Sequence, residues 1–194
     1  MCPQYMRRVT AGNTFYRAGD HQSATTKYKK CCKYIKLLRD TVGSTDDDEE
    51  KLWVARIILS GTNIKSDRVR AVEVPCVLNI AAVKLKSKEY DEAIYECNKV
   101  LDIEVRYCMR MRTAQTDLLQ PELDYAVDWV TKARYRRGQA HNGKRNFELA
   151  LKDLLVVQKL QPGDNGVKKE IASLKKAVQD YKDKEKKMYG KMFG

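Results

Sequence analysis

With 194 residues, 33% of them charged and 43% hydrophobic, the chain is long enough for one well-buried core and has the polarity of a soluble protein. Ten glycines and four prolines among long runs of Lys, Glu, Ala and Leu exclude a turn-rich sandwich or barrel and point to an all-α chain. The formal charge of +12, from 38 Lys+Arg against 26 Asp+Glu, favours acidic partners without choosing among nucleic acid, anionic lipid and acidic peptide. No window approaches a membrane span and the start lacks a signal-peptide pattern, so a soluble intracellular protein is expected, cytoplasmic with the nucleus as a second compartment.

Along the chain, one pattern occurs three times. Gly12-x-x-Phe15, Gly19-Asp20-His21, Ala24 and Tyr28 come first. Ala81, Lys88-Glu89-Tyr90, Ala93, Cys97 and Val100 follow, and then Gly138, Asn146-Phe147, Ala150, Leu154, Val157 and Pro162. In each copy a small residue precedes a ring (His21, Tyr90, Phe147) by nine positions and an alanine (Ala24, Ala93, Ala150) by twelve. Such a small residue suits the crossing of two antiparallel helices, with the ring plugging the turn between them. Each copy is then a two-helix unit that must stack on neighbours to cover its apolar face.

Aligning the alanines puts repeats at approximately 5–38, 74–107 and 131–164 of one domain spanning 1–194, with insertions at 39–73 and 108–130. The first insertion contains the polar, acidic stretch Gly43 to Glu50, expected to be a loop flanked by helix extensions over Tyr28 to Arg39 and Lys51 to Ser60. In the second, Pro121 followed by Glu122 and Asp124 suits a first helical turn, so this insertion is expected to lengthen the helix that opens the third unit. After Pro162-Gly163, Val167, Ile171, Leu174, Val178 and Tyr181 recur every three or four residues. They predict an amphipathic helix over about 165–192 that caps the third hairpin.

The repeat resembles the tetratricopeptide repeat (TPR). Ala11 to Tyr16, Pro75 to Lys86, Lys132 to Gly138 and the ending Lys182 to Phe193 further resemble the TPR domain of the large immunophilins, the cyclophilin-40-like and large FK506-binding-protein-like co-chaperones. That resemblance implies three TPR hairpins in a right-handed superhelix, with the two insertions and the capping helix added. It also implies a groove that clamps the acidic C-terminal peptide of Hsp90, and sometimes Hsp70, through Asn13, Asn79, Lys132 and Arg136, with Tyr16 as a groove aromatic. Where the family has a lysine four residues before the first asparagine, this chain has Val9. Arg8 is the nearest substitute, rotated by about 100° on a helix.

The residue types fit that role. Lys132 and Arg136 share one helix face and can each meet a carboxylate, while the two asparagines offer amide donors without further charge to desolvate. Asp128, four residues before Lys132, can pair with it in the free protein.

No catalytic constellation is visible around His21 or His141, and the six cysteines lack zinc spacing; Cys31 and Cys32 point in two directions on a helix. An interaction module is expected, with no cofactor, no metal, no enzyme activity, and no strand-rich stretch for the isomerase domain usual in the family. Two alternatives remain at this point: an adaptor that uses its Trp-bearing insertions, or an acidic nucleic-acid or membrane partner for the basic C-terminal helix. From Gly163 to Gly194 nine lysines face five acids, an interspersed excess that makes nucleic acid unlikely.

Overall fold

The computed structural model describes residues 3–43, 66–113 and 120–193, and over these it contains seven helices and no strand. They are α1 (Pro3–Arg17), α2 (His21–Gly43), α3 (Ser66–Lys86), α4 (Tyr90–Thr113), α5 (Gln120–Gly143), α6 (Phe147–Leu160) and α7 (Asn165–Phe193). They divide into two compact units, Met1–Glu89 and Tyr90–Gly194. In the first, α2 packs against α1 and α3; in the second, α5 packs against α4 and α6, and α7 covers α6.

The three expected rings, His21, Tyr90 and Phe147, are each the first residue of a helix. Just before them the chain turns in the same way three times. Gly19, Lys88 and Arg145 have φ of 82°, 60° and 61°. The amide of each donates to the carbonyl three residues back (Tyr16, Leu85, Asn142), and the next amide donates to the carbonyl five residues back (Phe15, Lys84, His141). One left-handed residue thus satisfies the last carbonyls of one helix and reverses the chain into the next. Asp20 then caps α2, its carboxylate accepting from the Ser23 amide at 2.9 Å. Hydrogen bonds from Ser23 hold that carboxyl below its ordinary pKa. Asp164 caps α7 through the amides of Gly166 (2.7 Å) and Val167 (3.2 Å).

The small residues stand at close approaches. A Cβ on Gly12 would lie 2.5 Å from Cε1 of Tyr28, and one on Gly138 would lie 3.2 Å from Cγ of Leu154. Ala24, Ala93 and Ala150 are fully buried. In the first unit, Ala24, Tyr28, Ile80 and Val83 form a core flanked by Phe15 and Tyr16. A neighbouring core of Cys31, Ile35 and Cys76 is flanked by Val9, Cys32 and Val72. In the second unit, Ala150, Leu154 and Val157 of α6 meet Val167, Ile171 and Leu174 of α7, so the C-terminal stripe does cap the third hairpin. The rings of Phe147 and Tyr181 add an edge-on contact at 6.1 Å.

Several boundaries differ from the sequence expectation. Helix α3 begins at Ser66 and runs through Pro75, instead of starting near Val74. Pro75 cannot donate to the Ala71 carbonyl, but the flanking Val74, Cys76, Val77 and Leu78 are all buried, and that burial outweighs the missing bond. Helix α4 extends to Thr113, while α5 starts at Gln120 beside Pro121, lengthened as expected. Trp129 is buried within α5. The expected acidic loop, the helix over Lys51 to Ser60 and Trp53 lie outside the described residues.

Both Cys31 and Cys32 reach Cys76, correcting the expectation that they diverge. Hydrogen bonding of the Cys76 S–H toward these two sulfurs, with burial, pushes the Cys76 thiol far above its ordinary pKa. Both of its neighbours are near because the α2–α3 packing places Cys76 between two adjacent side chains of α2.

Replacing Lys88 or Arg145 by glycine removes the Cβ penalty of the left-handed conformation. Each change is expected to stabilise the chain by about 1 kcal/mol. Gly12→Ala forces the buried Tyr28 ring to move and is expected to cost about 1–3 kcal/mol. Urea-denaturation midpoints of the three variants test both signs.

Candidate functional site

The first unit brings Asn13 and Asn79 together. Nδ2 of Asn79 donates to Oδ1 of Asn13 at 3.2 Å, and the Tyr28 hydroxyl donates to the same oxygen at 2.7 Å. Tyr28 is 1% exposed, so its hydroxyl needs that acceptor. With Oδ1 taken by two donors, the Asn13 carboxamide is fixed in orientation. What it has left to offer a ligand is its Nδ2 hydrogens. Helices α1, α2 and α3 each contribute one residue to this node.

Tyr16, one turn beyond Asn13, is half-buried against the same core. Its ring lies 5.8 Å from that of His21, and Nζ of Lys86 sits 4.6 Å from its centroid. Lys86 is thus a cation held over an aromatic in the unit that contains both asparagines, a role that no spacing rule singles out because α1 and α3 are far apart in sequence. Val9 packs on the Cys31, Ile35 and Cys76 core. Arg8 belongs to α1, but its side chain lies outside the described residues.

The second unit carries Lys132 and Arg136 one turn apart on α5. Lys132 is exposed and paired with Asp128 at 2.6 Å, as the i, i+4 spacing predicts. Both partners are substantially solvated, so the pair contributes only about 0.3–0.5 kcal/mol. Arg136 is half-buried. With Arg137 it partly offsets the burial that pushes the Cys97 thiol up to about 12.

Behind these two cations lies a buried network that periodicity alone does not disclose. Arg137 grips Asp153 of α6 with two bonds, Nε to Oδ2 and Nη2 to Oδ1, both 2.7 Å. Its Nη1 reaches Oδ1 of Asn98 on α4 at 2.6 Å, and Nη1 of Arg134 reaches Asp153 at 3.2 Å. The Asp153 bonds raise the Arg137 pKa above its ordinary value. The available sequence signal was Asp153 itself, an acid on the same face of α6 as Ala150, Leu154 and Val157. A buried acid there requires a cationic partner. The adjacent Tyr135 hydroxyl is pushed up to about 12 by desolvation and by its bond with Glu170.

Among the described residues no group of His, Cys, Asp and Glu could hold a metal ion, and no helix is long and apolar enough to cross a membrane. The Asn13 amide hydrogens and the Lys132 and Arg136 cations are hydrogen-bond donors of the kind that hold carboxylates.

No family model matches the chain. In three dimensions it is similar to the C-terminal TPR-containing domain of a Plasmodium falciparum FK506-binding protein, with a TM-score of 0.57 at 19% identity over 92% of this chain and 91% of that one. The fold is therefore that of a TPR domain. In sequence the chain is 25% identical over 182 residues to peptidyl-prolyl cis-trans isomerase FKBP4 of Bos taurus, covering 94% of the chain and 30% of that protein. It is 32% identical over 187 residues to FKBP42 of Arabidopsis thaliana, covering 96% of the chain and 40% of that protein. FK506-binding protein 59 of Drosophila melanogaster is 30% identical over 136 residues, 70% of the chain and 26% of that protein. The chain is a TPR domain of the large-immunophilin family, spanning less than half the length of these relatives.

Asp153→Ala strands the Arg137 guanidinium among buried groups and is expected to cost about 3–5 kcal/mol, measured by chemical denaturation. Burial also lowers the His141 pKa. An unfolded chain, with histidine at its ordinary value near 6.5, then takes up the proton first as pH falls. His141 should therefore contribute a loss of stability as pH falls below that value, and His141→Gln should flatten that part of the stability profile.

Proposed function

We propose that the chain is the peptide-binding module of a co-chaperone, taking the acidic C-terminal tail of Hsp90, with the Hsp70 tail as a second ligand. The observation that carries this reading is the Asn13–Tyr28–Asn79 node, which presents oriented amide hydrogens within one unit. The resemblance of the Lys132 to Gly138 stretch to the clamp motif supplies the cationic half, Lys132 and Arg136. In this reading the asparagines hold the terminal carboxylate, the two cations meet acidic groups of the peptide, and Tyr16 with Lys86 flanks them. Arg8 is a further candidate cation, and the site of action is the cytoplasm.

The isomerase activity in the relatives' names is not part of the proposal. The chain spans 26% to 40% of those proteins, and its described residues form helices and turns without a strand. The proposed clamp is weakened relative to the family pattern, because Val9 contributes no charge and Asp128 competes for Lys132.

Titration of the chain with an acidic Hsp90-tail peptide, free or C-terminally amidated, tests the proposal. The free peptide should bind, and amidation should abolish binding. Asn13→Ala, Asn79→Ala and Arg136→Ala should each weaken it by roughly 10-fold or more. Asp128→Asn should strengthen it about 2-fold. Equal affinity for the free and amidated peptides would defeat the reading, and tighter binding of the Hsp70 tail would reverse the order of partners.

A further inference from the structure

The outward face of α2 is a charged feature that the peptide site leaves unused and that carries no acid from His21 to Arg39. The helix buries Ala24, Tyr28, Cys31 and Ile35 along one stripe. Lys29, Lys30, Lys33 and Lys36 are all exposed. At 100° per residue these four fall within a wedge of about 120° centred opposite the buried stripe, over roughly 10 Å of helix axis. From His21 to Arg39 the sequence contains no acid, and none of the four lysines has an ion pair among the described residues. Four other lysines are paired, Lys84 with Glu89, Lys99 with Glu96, Lys132 with Asp128 and Lys144 with Asp91, and those of α7 alternate with Glu170, Asp180, Asp183 and Glu185 along their helix. Four like charges on one rigid face destabilise the free helix slightly, and an external anionic surface would relieve that repulsion.

We propose that this face of α2 docks on a membrane surface rich in anionic phospholipid. Its charges are all compact lysine ammonium groups, which suit a diffuse field of phosphate and carboxylate headgroups. No arginine stands among them to fork onto single phosphates of a nucleic-acid strand. Tyr34, 37% exposed, lies beside Lys30 on the edge of the wedge, where its ring can sit at headgroup level. The far side of α2 is locked into the core by Tyr28 and Ile35, so presenting the lysines costs no reorganisation. The association is peripheral and electrostatic, independent of the peptide site.

Cosedimentation of the full chain with vesicles of phosphatidylcholine, with or without phosphatidylserine, tests this. The chain should bind only the vesicles that contain phosphatidylserine and should be released by salt. Each lysine near such a surface is worth about 5-fold in partitioning, so K29Q/K36Q and K30Q/K33Q should each lose roughly 25-fold, and the quadruple variant several-hundredfold. Removing the same charge from exposed positions of α7, as K175Q/K176Q/K182Q/K186Q, should change binding by less than about 5-fold. An equal loss in the α7 variant would reduce the effect to net charge and overturn the assignment to α2. So would absence of binding, or displacement from vesicles by single-stranded RNA that competes through the same four lysines. All substituted side chains are exposed, and thermal unfolding of each variant distinguishes lost docking from lost fold; the two double variants keep the test open should the quadruple variant fail to fold.

Discussion

One backbone constraint organises this chain: each hairpin closes on a single residue in the left-handed conformation, with the same pair of reverse hydrogen bonds at Gly19, Lys88 and Arg145. At Gly19 and Arg145, where the turn joins two helices of one unit, it fixes how far the second helix is rotated relative to the first, and therefore which face of the first helix is buried. Asn79 and Arg136 both stand nine residues before their turn, at equivalent places in successive repeats. Two of the three closing residues have a Cβ, so the geometry is imposed by packing on either side and not by a local preference.

Inside that frame each unit contains one polar node built on a buried group, Tyr28 in the first and Asp153 in the second. In the first, Tyr28 and Asn79 both donate to Asn13; in the second, Arg137 and Arg134 both donate to Asp153. An apolar replacement of similar shape would pack as well or better, so these nodes are weak contributors to net stability. Their effect is orientation. Directional bonds tie three helices in each unit, α1, α2 and α3 through Asn13, and α4, α5 and α6 through Arg137. Arg137 faces inward, and the neighbouring Arg136 is displaced by about 100° around the same helix. The half-buried guanidinium, held by Asp153 and Asn98, therefore fixes the rotation of α5 and, with it, where Lys132 and Arg136 emerge.

What the sequence disclosed follows from which forces are local. Gly12 and Gly138 were legible because close approach requires the absence of a side chain, and Asp128 with Lys132 because an i, i+4 pair needs only the helix itself. The C-terminal stripe was legible because one apolar face must be covered. Lys88 and Arg145 gave no sign of positive φ, since their side chains do not ask for it. The alanine alignment put a unit start near Val74, whereas the helix begins at Ser66 and burial on both sides carries it through Pro75. The thiol contact of Cys76 with Cys31 and Cys32, and the grip of Arg137 on Asp153, join residues on different helices. Only the assembled packing sets such pairings.

The same distinction explains the unusual first half of the candidate clamp. Val9 is four residues before Asn13, where the resemblance calls for lysine, and it packs on Cys31, Ile35 and Cys76. A lysine at that place would have to carry its ammonium past an apolar core with no carboxylate there to receive it, at a cost that a peptide ligand alone could offset. Valine instead adds to the core in the free chain, so the position serves stability rather than charge. The unit keeps a cation nonetheless: Lys86 rests on the Tyr16 ring, positioned by an aromatic face rather than by an anion. A cation held that way remains free to meet a carboxylate, because its attraction to the ring and its attraction to an anion act on different sides of the ammonium group.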